Sequence, residues 1–330
     1  MPTAISPLPD LPTLTRGLTA VLRRCGSIGG PLAVVDRQLV DQGTFPKEVV
    51  TCRRRGGPEL RLFCKYGGGH PEHHSHGHRG GVAYEAAVYC RVLKPARATA
   101  PRYYGTYTRK SAGETWLVLG YMDGSLRVTR THEPGAMGLA AEWIGRFHAR
   151  HERSLPGAAR SLLRAYDADY YRGWARRTAA FAGPLHQEFG WLAPLCQRFD
   201  ELAELLLAPP PTVIHGEYYP ANNILCSGGV IYPIDWESAA VAAGEIDLAC
   251  LTEGWPPRVV RECERRYREA RWPDGAPADF ERRLGAARLY LAFRWLGEEP
   301  DETVDESNRW RFEDLRTVGE RLGLIEDGRP

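Results

Sequence analysis

The apolar residues of this chain change their spacing near residue 125. Before that point they fall in short blocks rich in β-branched and aromatic residues: "PLAVVDRQLV", "KEVVTCRRR", "ELRLFCKYG", "RYYGTYTRK" and "TWLVLGYMDG". After it they recur at helical spacing in "GAMGLAAEWIGRFHARHE", in "LHQEFGWLAPLCQRFDELAELLLAPP", and again around 257–271, 278–297 and 307–322. A switch from a period of two to one of 3.6 residues predicts a sheet followed by a helical body. "DQGTFP" and "GGP" hold turn residues between the first three blocks, which predicts an antiparallel meander. A short helix around 12–25 precedes the sheet and "AYEAAVYCRVL" forms another within it. A length of 330 residues exceeds what one core usually organises. The expected architecture is α+β and two-lobed: a β-rich lobe over 1–120 and a mainly helical lobe over 121–330.

One stretch interrupts the helical part. "VIHGEYYPANNILCSGGVIYPIDWE", residues 213–237, reads as strand, polar turn, strand, with polar side chains at the strand ends. A hairpin-like return through "CSGG" would carry Asn222 and Asp235 to the same mouth. An amide oxygen and a carboxylate are hard ligands suited to Mg²⁺. Glu217 could then take a proton from a hydroxyl beside a metal-bound phosphate, with His215 bracing the turn rather than acting as base. Polar residues also cap ordinary hairpins, so taken alone the stretch leaves both readings open. In the β-rich part, Lys65 ends the run "LRLFCK" and Glu85 lies early in the next helix. A strand lysine oriented by a helix glutamate could hold phosphates; a solvated lysine is the plain alternative.

These segments together resemble the aminoglycoside phosphotransferase family. "HGEYYPANN", "IDWE" and "GEIDLA" resemble its catalytic loop and the segments after it. "FCKY", "YEAAVY", "WLVLGYMDG" and "EWIGRFHARH" are similar to its nucleotide lysine, paired glutamate, interlobe hinge and first long helix of the C-terminal lobe. The likeness runs in order along nearly the whole chain. It implies a protein-kinase-like fold and transfer of the γ-phosphate of ATP or GTP to a small-molecule hydroxyl. It also implies roles: Lys65 on the α and β phosphates, Glu85 paired with it, and backbone groups of Gly120, Tyr121 and Met122 on the base. Asn222 and Asp235 would hold Mg²⁺, and Asp247 would brace the catalytic loop.

Two features depart from the family pattern. The residue expected to be the catalytic aspartate is Glu217, one methylene longer. Misplacing a reacting group by about 1 Å can cost roughly a hundredfold in rate, yet phosphoryl transfer depends mainly on positioning and electrostatics, so the carboxylate type preserves the chemistry. The turn "DQGTFPKE" lacks a GxGxxG phosphate loop and has Gly43 as its only flexible point. No GxxxxGK[ST] occurs, which argues against a P-loop nucleotidase. The runner-up reading is a nucleotide-binding pseudoenzyme or regulatory module; a metal-dependent hydrolase using Asn222, Asp235 and Glu217 is a third. No H-R-D loop or A-P-E segment suggests a protein kinase.

Charge and composition narrow the partners. Lys and Arg number 43 against 41 for Asp and Glu, so no whole-protein field favours nucleic acid or membranes. "RVVRECERRYREAR" reads as an amphipathic helix with an i,i+4 charge lattice, an anion surface being the alternative. No apolar run approaches a membrane span, and the N-terminus has no secretory pattern. The eight cysteines show no CxxC spacing and read as reduced thiols of a cytoplasmic protein. A small-molecule acceptor is expected, with the chain a monomer or homodimer.

Three further features carry two readings each. His70, His73, His74, His76 and His78 lie in a glycine-rich segment that reads as a mobile loop. They are either solvated or part of a metal or lid element. "EEPDETVDE", 298–306, is a solvated loop or an attractor for a cationic acceptor. Tyr166, Tyr170, Tyr171, Trp174, Trp255, Trp295 and Trp310 line an acceptor pocket or belong to the core.

Overall fold

The computed structural model describes residues 8–41, 43–54, 57–68, 76–133 and 135–325. Its contacts divide into two units. The first opens with α1 (Leu11–Arg24), capped by Asp10, whose carboxylate accepts the Thr13 N–H at 2.8 Å. It then forms the strands β1 (Leu32–Leu39), β2 (Lys47–Arg54), β3 (Glu59–Gly68), β4 (Tyr103–Arg109) and β5 (Glu114–Gly120). They pair antiparallel in the order β1-β2-β3-β5-β4. Between β3 and β4 lie α2 (Gly81–Val88), a π-helical turn (Tyr89–Leu93) and the short α3 (Lys94–Ala96).

Alternation along the strands sorts the sheet's faces. Val50, Cys52, Leu62, Cys64, Tyr66, Trp116 and Val118 form one core with Leu14, Leu18, Val21 and Leu22 of α1. Successive strand residues point to opposite faces, so Lys65, between Cys64 and Tyr66, projects away from that core. Burying the apolar face therefore also aims the lysine.

The second unit is mainly helical. Its longer helices are α4 (Ala136–Arg153), α6 (Ala168–Phe181), α10 (Pro257–Arg271), α11 (Phe280–Leu296) and α13 (Arg309–Arg321). The shorter ones are α5 (Gly157–Leu162), α7 (Leu192–Gln197), α8 (Phe199–Leu207), α9 (Glu245–Thr252) and α12 (Pro300–Val304). Six short strands lie in this part of the chain: β6 (Leu126–Arg127), β7 (Arg164–Ala165), β8 (Thr212–Ile214), β9 (Ile224–Ser227), β10 (Val230–Pro233) and β11 (Ala240–Ala242). β6 pairs with β9, next to β10; β11 pairs parallel with β7 and antiparallel with β8. No helix among the described residues is long and apolar enough to cross a membrane.

Several expectations need revision. The units are not contiguous in the chain: Tyr232–Glu237 groups with the first, His76–His78 with the second, and the main boundary follows Ser125. The segment "AYDADYYRGW", read only as aromatics, opens α6, because Asp167 caps it by accepting the Tyr170 N–H at 2.8 Å. The acidic run is not a plain loop. Pro300 near the start, with Asp301 and Glu302 in the first turn, begins α12. His70, His73 and His74 lie outside the described residues, but His78 is buried, not solvated. The arginine-rich α10 has the expected lattice, Arg265 pairing with Glu262 and Glu269. All eight cysteines are free thiols, five of them buried.

Candidate active site

In the first unit, the Lys65 ammonium lies among three carboxylates. Its Nζ is 2.8 Å from Glu85 Oε2, 2.5 Å from Asp235 Oδ1 and 3.3 Å from Glu237 Oε2. It also sits 5.3 Å from the centre of the Phe45 ring. The other Glu85 oxygen accepts the Trp236 N–H at 3.3 Å, so one glutamate ties the strand lysine to the 232–237 segment. Gly80 N–H donates to the Glu237 carbonyl at 2.7 Å, a second tie of the same kind. Asp235 has φ 67°, a left-handed conformation that few residues other than glycine adopt and that aspartate tolerates better than most.

Burial works against the Lys65 charge, yet the three carboxylates, Glu85 foremost, outweigh it and hold the ammonium well above the ordinary lysine range. Burial pushes Glu85 upward against the pull of Lys65. Ligand oxygens of Glu85, Asp235 and Glu237 all lie within 4.8 Å of one another, the one group of three or more His, Cys, Asp or Glu side chains among the described residues that could hold a metal ion. Lys47 stands directly opposite Lys65 in the β2–β3 register. Its Nζ sits over Gly43, where an added Cβ would come within 2.6 Å of it. Burial lowers the Lys47 pKa, while Asp235 raises it.

At the end of β5, the Gly120 N–H donates to Arg102 O at 2.7 Å and the Tyr121 N–H to Arg61 O at 3.0 Å. Met122 O accepts the Ser125 hydroxyl at 2.8 Å. The amide hydrogens of Gly120 and Tyr121 are thus engaged within the protein.

In the second unit, β8 runs into the loop His215-Gly216-Glu217. Asp247, at the start of α9 and fully buried, accepts the His215 N–H at 2.7 Å and the Gly216 N–H at 2.9 Å. His148 Nε2 lies 3.1 Å from the same carboxylate. Gly216 has φ 84°, and a Cβ there would stand 2.3 Å from Ser238 O, so only glycine fits. His215 is fully buried, and its Nδ1 accepts the Glu217 N–H at 3.3 Å. Glu217 O accepts from Tyr219 N–H and from Asn223 Nδ2, each at 2.8 Å. Asn223 is buried and clamps the loop, whereas Asn222 is exposed, its N–H donating to Tyr219 O at 3.2 Å.

The Glu217 carboxylate has a buried histidine and a buried arginine beside it. Its Oε1 lies 3.4 Å from His78 Nε2 and 3.5 Å from Nη1 of the fully buried Arg294. Arg294 Nη2 donates to the Tyr219 hydroxyl at 2.5 Å.

Of the residues singled out in the sequence, Lys65, Glu85 and Asp235 meet in the first unit. His215, Glu217 and Asn222 share one loop of the second. Glu237, Lys47 and Arg294 were not singled out as site residues, and His78 was named only as solvated or part of a metal or lid element. "IDWE" did display Glu237, and β-alternation could have flagged Lys47, whereas nothing local marks Arg294. Among the aromatic candidates, Tyr166, Tyr171 and Trp174 are core residues and Trp310 is 44% exposed.

Residues 70–283 match the sequence model of the phosphotransferase enzyme family, APH. No curated protein sequence matches the chain. Solved structures share its fold. Wild-type aminoglycoside 2'-phosphotransferase-IIIa, as its GDP complex, is 13% identical with a TM-score of 0.61, covering 95% of this chain and 99% of that one. Choline kinase from Cryptosporidium parvum is 14% identical with a TM-score of 0.60, covering 94% and 97%. Macrolide 2'-phosphotransferase from Brachybacterium faecium is 20% identical with a TM-score of 0.55, covering 95% and 99%. The sheet-rich N-terminal part and helical C-terminal part are those of a protein-kinase-like fold. The chain belongs to the phosphotransferase enzyme family and is a small-molecule phosphotransferase.

Proposed function

We propose that the chain transfers the γ-phosphate of ATP or GTP to a hydroxyl of a small molecule, in a Mg²⁺-dependent reaction, with Glu217 as base. The observation that carries this reading is the buried Lys65–Glu85 pair beside Asp235, at 2.8 and 2.5 Å from the lysine. A lysine held charged by carboxylates on the face of a sheet suits the α and β phosphates of a nucleotide. Lys47 and the Gly43 turn supply further positive charge and backbone freedom where a glycine-rich loop is lacking. Since the Gly120 and Tyr121 amide hydrogens are engaged, a purine edge would meet carbonyls of this hinge or the N–H of Met122.

Asp235, whose ligand oxygens lie close to those of Glu85 and Glu237, offers hard oxygen donors suited to a divalent cation; Asp235 would hold it, Asn222 is the amide ligand expected from the sequence, and when bound the cation would neutralise charge on the phosphates. Glu217 would accept the acceptor's hydroxyl proton. The acceptor oxygen would bond to the γ-phosphorus as the bond to the bridging oxygen breaks and the nucleoside diphosphate departs. His215 and Asp247 hold the loop rather than exchange protons. Fold relatives named for aminoglycoside, macrolide and choline substrates motivate an antibiotic or other secondary metabolite as acceptor. Free thiols and a nucleotide donor suit a cytoplasmic setting.

The test is label transfer from γ-³²P-labelled ATP and GTP to a panel of aminoglycosides, macrolides and amino alcohols, with and without Mg²⁺. The expected result is labelled product that requires Mg²⁺ and disappears in Glu217→Gln and Asp235→Asn. Wild-type transfer by Glu217→Gln would remove Glu217 from the role of base.

A further inference from the structure

The histidine-rich segment ends in contacts that neither the family assignment nor the proposed reaction explains. His76, Gly77 and His78 group with the second unit, whereas β3 before them and the residues from Arg79 onward belong to the first. His76 adopts φ 46° and Gly77 φ 74°, a tight left-handed pair. The His76 ring stacks on Tyr170, with centroids 5.6 Å apart, and meets Trp174 edge-on at 5.3 Å. Its Nε2 lies 3.1 Å from Tyr170 O. It fits there because α6 carries Gly173: a Cβ at that position would stand 1.9 Å from His76 Nε2.

Two residues further on, His78 is 2% exposed. Its Nδ1 is 3.2 Å from both the Tyr166 and Tyr170 hydroxyls, and Tyr170 passes on to the Tyr290 hydroxyl at 3.0 Å. Its Nε2 faces Glu217 Oε1 at 3.4 Å. A carboxylate can only accept and a phenol can donate, so a proton on Nε2 is the tautomer that would suit both neighbours. Arg294 reaches the same oxygen at 3.5 Å and is fixed by Tyr219. The glutamate arm, one methylene longer than aspartate, is thus faced at one oxygen by two buried side chains from separate elements: Arg294 donates to it, and His78 Nε2, which makes no hydrogen bond of its own among the described residues, stands 3.4 Å away. Neither described histidine belongs to a metal-capable group.

We infer that His78 and Arg294 are positioning residues that set the Glu217 carboxylate for proton abstraction, and that the His76–Gly173 contact anchors the histidine segment so that His78 reaches it. This rests on the reading of Glu217 as base. An unrestrained glutamate samples several rotamers, whereas the His78–Arg294 pair selects one. It fixes the longer arm without any contact to nucleotide.

The experiment uses the full chain with Mg²⁺·ATP and water as the phosphoryl acceptor, and follows phosphate release. His78→Phe and Arg294→Met are expected to lower kcat by roughly 10- to 100-fold, the range for a misplaced reacting group, with KM for ATP unchanged. His78→Gln, which keeps a donor near the Nε2 position, recovers much of the loss; a merely structural histidine would show no such recovery. Gly173→Ala touches neither Glu217 nor His78. It strengthens a helix interior, yet is expected to lower kcat by displacing His76, with thermal stability retained. In the Glu217→Gln background, His78→Phe is expected to add nothing to the loss. If it lowers the residual rate there as much as in the parent, the positioning role is overturned while the base stands. That role is equally overturned if Glu217→Gln loses activity and His78→Phe, Arg294→Met and Gly173→Ala all keep parental kcat. Full activity of Glu217→Gln overturns base and positioning together.

Discussion

Replacing Lys65 with methionine keeps the bulk of the side chain and removes its charge from among three carboxylates. Glu85 and Glu237 are buried there, and Asp235 is one-third exposed. Their ligand oxygens lie within 4.8 Å of one another. At an effective dielectric of about 20, each charged pair at that distance repels by about 3 kcal/mol. Binding one proton relieves two of the three pairs, whereas protonating a carboxylate at pH 7 costs about 4 kcal/mol. The variant should therefore take up a proton. With the repulsion that remains, and solvent screening at Asp235, the loss at pH 7 should be about 3–5 kcal/mol, as for a broken buried pair. The bound carboxyl now titrates above its unfolded value, so the folded chain holds a proton that the unfolded chain lacks. The penalty is therefore largest at high pH and shrinks by up to about 1.4 kcal/mol per unit as pH falls from 7 toward 5. Amide hydrogen exchange in β2, β3 and β5, compared with the parent at pH 5 and pH 7, reads this directly. An identical penalty at both values would refute the argument.

Four other outcomes are expected. Asp247→Asn turns an amide toward the Gly216 N–H, so it loses a charge-assisted bond and leaves a buried donor unmatched; a loss of about 2–4 kcal/mol in urea unfolding is expected. Lys47→Ala should raise KM for the nucleotide by about tenfold, one charge-assisted contact, with kcat little changed. Burial, ahead of other influences, lowers the pKa of His78, His148 and His151 below 6.5. The unfolded chain then binds more protons below pH 6.5, and stability should fall on acidification by up to about 1.4 kcal/mol per pH unit for each histidine. Urea midpoints that stay flat from pH 7.5 to 5.5 would refute that. Glu217→Asp should lower kcat rather than restore a standard base, because the shorter arm leaves the reach of His78 and Arg294; equal or higher turnover would show that the extra methylene is incidental.

Local pattern displayed much of this molecule. Period-two runs marked all five strands of the first sheet, and the flanking Cys64 and Tyr66 fix the face of Lys65. The HGE loop with "IDWE" marked Glu217 and Asp235. What stayed hidden depends on long separations. Arg294 meets Glu217 across 77 residues, and no spacing rule connects a helix arginine to a loop so far upstream. Nothing local chose between the two readings of His78, which lies in a segment of glycines and histidines, because its burial is decided by tyrosines 88 and 92 residues later. α6 was missed because its aromatics lie on several faces, and only Asp167 announces its start. The acidic run misled because acids that suggest a solvated loop also favour the first turn of a helix.

The link between Lys65 and Asp235 spans 170 residues, and that span has a consequence during synthesis. At typical translation rates the strand lysine waits on the order of 10–30 s before the segment carrying Asp235 and Glu237 follows it out. Until then Glu85, only 20 residues away, is its available partner of the three. A nascent or truncated chain ending before residue 232 would therefore hold the sheet and α2 without two of the three anionic walls around the ammonium. Such a fragment should bind free phosphate more readily and hold a divalent cation less well than the finished protein.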